Sequence, residues 1–245
     1  MGYKRKFTGP MAARKRIRSM KKRQTRRVFS AKGRSRIAKI CKKVLFQKSE
    51  TKRAYYSHGK FELWHNADDT QHNANICTLN PETAQGMPNQ GTGDTSDRIG
   101  DEIYMTGFKL RFLCGQKFDR PNVNWRLIIG AVPKNYAYAY NTFFNNISGN
   151  VLLDPVNTDL VSILHQSYFK PNAQGVPGTS NAEYTIAKQL WIPRKKKYKF
   201  STNTAQTHND QQILMILHTY DAYGTLTTDN IGYVQVWQET IFKDF

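Results

Sequence analysis

The charge of this chain is divided into two blocks, and the division limits what each block can fold into. Of 37 Lys and Arg and 18 Asp and Glu in 245 residues, residues 1–53 hold 21 basic residues and one acid, Glu50. Residues 54–245 hold the other 16 basic and 17 acidic residues and are close to neutral. A long block of one sign repels itself and cannot bury a core. It calls for a polyanionic partner, either nucleic acid or an anionic membrane surface. The sequence therefore predicts an arm over residues 1–50 and a folded domain over residues 51–245.

Within the arm, Lys4, Arg5 and Lys6 come first. Arg14, Lys15, Arg16 and Arg18 follow, then Lys21, Lys22, Arg23, Arg26 and Arg27. Closely spaced basic clusters have the form of a nuclear localisation signal, and a nucleic-acid-binding tail has the same form. From residue 34 the pattern changes. Ile37, Ile40, Cys41, Val44 and Leu45 recur at helical spacing, with Arg34, Arg36, Lys39, Lys42 and Lys43 on the remaining faces. This predicts a basic amphipathic helix near 34–47. Three readings remain open: a helix against protein with its cations toward phosphates, a membrane-surface helix, or a transient helix in a tail. Trp and Phe are scarce on the stripe, which counts against the membrane. No apolar run reaches the roughly 18–20 residues that span a bilayer, so no membrane insertion is expected.

The rest reads as all-β. Turn signals separate short segments rich in β-branched and aromatic residues. Residues 53–65 read as a first strand broken or bulged at Gly59, and residues 66–97 as a long polar loop. In 99–118, Phe108, Leu110, Phe112 and Cys114 alternate with Lys109, Arg111 and Leu113, so one face is apolar and the other mostly wet, and in 123–132 Trp125, Leu127 and Ile129 share a face. Asp154 and Pro155 look like a helix N-cap and N1, followed by a stripe of Val156, Leu160, Ile163 and Leu164. Residues 170–181 are a second loop and 183–192 a strand. Residues 213–220 are apolar on both faces, which predicts a central strand, and 231–242 form the last. About eight antiparallel strands with long connections suit an eight-stranded jelly-roll sandwich. Phe108, Leu110, Phe112, Trp125, Leu127, Ile129, Leu214, Ile216 and Val236 are its expected core.

Two clusters stand out in this domain. Arg194, Lys195, Lys196 and Lys197 are its one basic run, a second candidate contact for nucleic acid. Tyr136, Tyr138, Tyr140, Phe143 and Phe144 crowd a weakly regular stretch. They read equally well as a contact between subunits or as a loop folded over its own sheet. Catalytic signatures are missing: no P-loop, no dinucleotide-binding glycine pattern and no HExxH. His65, His72 and Cys77 match no zinc spacing, and the pairs Asp68-Asp69 and Asp101-Glu102 read as solvated loop carboxylates in preference to a divalent-cation site across a subunit contact, since such cations need about 6–8 gathered oxygens. Cys41, Cys77 and Cys114 form no disulfide framework. No catalytic residue, metal or cofactor is assigned.

The order of the segments resembles the capsid proteins of small circular Rep-encoding single-stranded DNA viruses, the group of geminiviruses, genomoviruses and circoviruses. The Arg-rich arm, RIGDEIYMTGFKLRFLCG (98–115), VNWRLIIGAVPK (123–134), NDQQILMILHTYDAYG (209–224) and IGYVQVWQETIFKDF (231–245) carry the resemblance. The cysteine and histidine arrangement found in geminiviruses is missing. The resemblance implies a homo-oligomeric icosahedral shell of sixty copies around a single-stranded DNA genome held by the arm. It also implies entry to the host nucleus through the import machinery. Sixty arms near +20 supply about 1,200 positive charges, which would neutralise on the order of a thousand nucleotides. A ribosomal or chromatin-like protein is the alternative, but such a protein usually carries basic surface on its globular part as well.

Overall fold

The computed structural model describes residues 31–67, 76–79, 98, 100–145, 148–174, 183–201, 210–222, 225–226 and 228–244. The chain separates into two units, Met1–Ser49 and Glu50–Phe245. With the boundary at Ser49, the arm holds 19 basic residues and no acid, and the body holds 18 of each.

In the arm, α1 runs over Ala31–Lys48. It brackets the predicted helix, and Ile37, Ile40, Val44 and Leu45 on its apolar stripe are exposed. Its C-terminal turn closes with the Ser49 amide donating to the Leu45 carbonyl at 2.8 Å.

Among the described residues the body has nine strands: β1 (Thr51–Trp64), β2 (Ile76–Thr78), β3 (Glu102–Gln116), β4 (Asn124–Val132), β5 (Ser162–Phe169), β6 (Asn172–Gln174), β7 (Glu183–Lys199), β8 (Gln212–Tyr220) and β9 (Asn230–Asp244). They form two antiparallel sheets, ordered β1-β9-β3-β7-β6 and β2-β8-β4-β5. β2 and β6 are only three residues each, so the long strands divide four and three. Without β6, each sheet sets its last long strands beside its first in Greek-key order, and the chain repeatedly crosses between sheets. This is a jelly-roll sandwich.

Between the sheets lies the main core, which includes Phe108, Leu110, Phe112, Trp125, Leu127, Ile129 and Val236. Trp125 is fully buried and stacks on Phe169 with ring centroids 5.7 Å apart. The bulge in β1 is at Gly59, whose φ of 77° suits glycine, and the pairing with β9 skips a residue there. Pro193 lies within β7 opposite Gly107, where the β3 pairing also shifts register. Proline is tolerated at such a bulge because a ladder hydrogen bond is already interrupted.

A second core lies on the outer side of β4 and β8. Ile128, Val132, Leu214 and Ile216 face outward there and are covered by Tyr140, Phe143, Phe144, Val151, Val156 and Val161. The covering segment, residues 133–161, contains a one-turn helix, α2 (Tyr140–Phe143). This explains why 213–220 is apolar on both faces: β8 is central in its sheet and buried on both sides.

The predicted helix after Asp154 is not formed. Only one turn follows, with the Leu160 and Val161 amides donating to Asn157 O at 3.2 and 2.9 Å. Val156 and Val161 reach into the second core, and from Ser162 the chain pairs with β4 as β5. The helical spacing recorded one buried turn followed by an edge strand. Asp154 caps no helix; its carboxylate is the buried acceptor described below.

Candidate nucleic-acid interface and contact surface

Arg194, Lys195, Lys196 and Lys197 lie on β7 rather than in a loop. Strand alternation divides them between two faces. Arg194 and Lys196 share a side with the buried Tyr198, and both donate to Gln211 Oε1 at 3.1 Å. Lys195 and Lys197 project from the opposite face and are exposed. Lys197 is ion-paired with Glu102, which also takes Lys199 at 2.7 Å. Glu102, read from sequence as a solvated loop carboxylate, is thus held between two lysines on a strand. Nearby, the buried Arg98 guanidinium stacks 4.0 Å from the Phe200 ring and donates to the Gly100 carbonyl at 2.6 Å.

This basic cluster occupies the end of the sheet at which the chain enters the body. Thr51 pairs with Lys243, Lys243 with Tyr104, and Tyr104 with Lys197, one row across four strands. Thr51, the first residue of β1, and the basic run of β7 therefore lie at the same end of the sheet. Of the arm residues, Arg34 and Arg36 are exposed on α1. Lys4, Arg5, Lys6, Arg14, Lys15, Arg16, Arg18, Lys21, Lys22, Arg23, Arg26 and Arg27 lie outside the described residues, as do His72, Asp68 and Asp69 and most of the expected loops 66–97 and 170–181.

The aromatic stretch separates into two groups. Tyr140, Phe143 and Phe144 are buried in the protomer's own second core, so for these three the loop folded over its own sheet is the correct description. The reason is that β4 and β8 present an apolar outer face that must be covered. Tyr136 and Tyr138 are half-buried; Tyr136 Oη bonds Thr142 Oγ1 at 2.7 Å, and Tyr138 packs 5.3 Å from Phe143.

A buried polar cluster fastens this cover. Arg126 on β4 donates to the carbonyls of Val151 and Asp154 at 2.8 and 2.6 Å. The Asp154 carboxylate accepts from Tyr140 Oη at 2.5 Å and from the Ser148 amide and hydroxyl at 2.7 and 2.6 Å. Burial alone would raise its pKa, but the hydrogen bonds from Ser148 and Tyr140 and the Arg126 charge outweigh it and hold it below the usual carboxylate value.

The sequence did not single out an apolar groove of about 540 Å³ beside the edge strand β5, lined by Trp125, Leu152, Leu153, Tyr168, Phe169 and Lys170 among others. Leu153 and Tyr168 are exposed there at 71% and 58%. The adjacent leucines in a turn were the available signal. Cys114 is buried, and burial pushes its thiol up to about 12.

No protein-family model and no curated protein sequence matches the chain. Among solved structures it is distantly similar to viral particles and capsid proteins. A mud crab dicistrovirus chain aligns over 77% of this chain and 68% of its own, at 8% identity and a TM-score of 0.34. An Israeli acute paralysis virus chain aligns over 81% and 73%, at 12% identity and 0.31. The 60-mer BFDV capsid protein aligns over 80% and 94%, at 11% identity and 0.23.

Proposed function

We propose that this protein is the shell subunit of a small virus and that its arm packages the genome. The observation that carries the reading is the placement of the charge boundary at the boundary between units. All net charge lies in Met1–Ser49, while the jelly-roll body is formally neutral. A shell needs a cation on the inside for packaging and an uncharged wall whose copies can pack side by side. Lys195, Lys197 and Lys199, at the end of the sheet where β1 begins, give nucleic acid a second contact on the body itself.

In this reading the protein is structural and has no catalytic task. Copies meet through the Leu153–Tyr168 groove and through Tyr136 and Tyr138. The segment resemblance adds the finer terms: single-stranded DNA as cargo, sixty copies per particle, and nuclear entry directed by the arm.

Salt titration tests the packaging role. Each phosphate neutralised on a single strand contributes a slope of about −0.7 in log K against log salt, so about nine contacts give roughly −6. The full chain should show that slope on two single strands of unrelated sequence, and deleting residues 1–33 should remove most of it. An unchanged slope after deletion, or strong sequence preference, contradicts the proposal.

A further inference from the structure

The two sheets differ on their outward sides. The outer face of β2-β8-β4-β5 is covered by residues 133–161. Among the described residues of Glu50–Phe245, the outer face of the other sheet has no such cover, and it displays two tryptophans, Trp191 and Trp237, at 45% and 39% exposure. By contrast, Trp125 is fully buried.

Their placement is regular. Trp191 on β7 pairs across from Lys109 on β3, and Trp237 on β9 across from Arg111 on the same strand. The tryptophans therefore flank β3 diagonally, roughly 12 Å apart from strand spacing and rise, with two cations between them. Gly107 makes room for one ring: a Cβ there would sit 2.6 Å from the Trp191 six-membered ring, so the indole lies across the sheet. Trp237 borders a groove of about 240 Å³ lined by Ser57, Arg111, Leu113 and Gln235 among others. Glu239 is held between Arg53 at 3.0 Å and Arg111 at 3.8 Å, which leaves that cluster net positive. Both arginines remain more than half exposed.

Exposed aromatic rings beside cations on an open sheet match single-stranded nucleic acid, whose bases stack on the rings while its phosphates meet the charges. A duplex keeps its base faces internal and cannot use the rings. We infer that the outer face of β1-β9-β3-β7 binds single-stranded nucleic acid, with bases stacked on Trp237 and Trp191 and phosphates on Lys109, Arg111 and Arg53. This goes beyond packaging by the arm, because it places base contacts on the body and does not depend on shell formation.

The test is tryptophan emission of the full-length protein, titrated with single-stranded oligothymidylate and with a duplex of equal length. At about 1 M salt the screening length falls to about 3 Å, which weakens the phosphate contacts of arm and body alike and leaves base stacking as the attraction being read. The single strand should quench emission saturably and the duplex should not. Trp237→Ala and Trp191→Ala should each weaken binding roughly tenfold, and Trp237→Phe should recover most of the loss. Unchanged melting curves would show that the variants remain folded. Equal quenching by the duplex, or equal affinity in the double alanine variant, overturns the inference. So does emission that shifts with protein concentration and ignores the oligonucleotide, which would mean that another copy covers this face. Shells that form without quenching would leave packaging by the arm standing; quenching without shells would leave the base-stacking face standing.

Discussion

Arg126 donates to the main-chain carbonyl of Asp154 at 2.6 Å, tying a strand of the four-stranded sheet to the segment that covers it. Both residues are buried, at 2% and 0% exposure. Arg126→Met should leave the carbonyls of Val151 and Asp154 without their donor and cost about 3 kcal/mol. Asp154→Asn keeps most of the hydrogen-bonding shape and should cost about 1 kcal/mol. Urea unfolding gives both values, and limited proteolysis should cut residues 133–161 faster in Arg126→Met. Equal resistance to protease would show that the cover is held by its apolar contacts alone.

Burial separates fold from assembly among the aromatics and leucines. Phe143→Ala should destabilise the body by about 3–5 kcal/mol, because it opens a cavity in the second core. Leu153→Asp, at an exposed position, should leave stability within about 0.5 kcal/mol and lower the yield of particles. Melting curves and particle counts on the same preparations distinguish the two effects. A normal yield from Leu153→Asp would remove the groove from the contact surface.

Mild acid should weaken the body. His65 accepts a hydrogen bond at Nδ1 from the Asp221 amide at 3.0 Å, an arrangement that protonation of Nδ1 destroys. Burial lowers the His65 pKa, against the pull of Asp221 and Asp229, and Arg120 lowers it further. Burial also lowers His58 and His165. A base whose pKa is lower in the folded state binds fewer protons there than in the unfolded chain. Its contribution is therefore complete above the ordinary value of 6.5 and is lost as pH falls from there toward the folded value. The thermal midpoint should fall between pH 7.5 and 5.5, and less steeply in His65→Asn, whose amide oxygen can replace the acceptor. An identical pH slope in that variant would show that His65 is not a contributor.

The core was legible in the sequence because its signal has period two. The alternation at Phe108, Leu110 and Phe112, and at Trp125, Leu127 and Ile129, corresponds to buried positions in β3 and β4. Two features were less legible. Residues 156–164 mimic a helical stripe because one buried turn runs directly into β5, and local spacing cannot record which layer a residue faces. The neutral total of the body also concealed its surface. Glu239 and Glu102 each sit between two cations, so basic and acidic residues that cancel in the sum are unevenly distributed in space. Parity would have placed Trp191 and Trp237 opposite their core neighbours Ile192 and Val236, but only the sheet order shows that they flank one strand.

As a shell subunit, the neutral jelly-roll body is expected to form a closed wall around the charge of its arm. Electron microscopy of the purified full-length protein at low salt, with single-stranded DNA added, tests this most directly. Closed isometric shells of uniform diameter that retain the DNA after nuclease treatment are expected. Single protomers or open, irregular aggregates with the DNA fully digestible would contradict it.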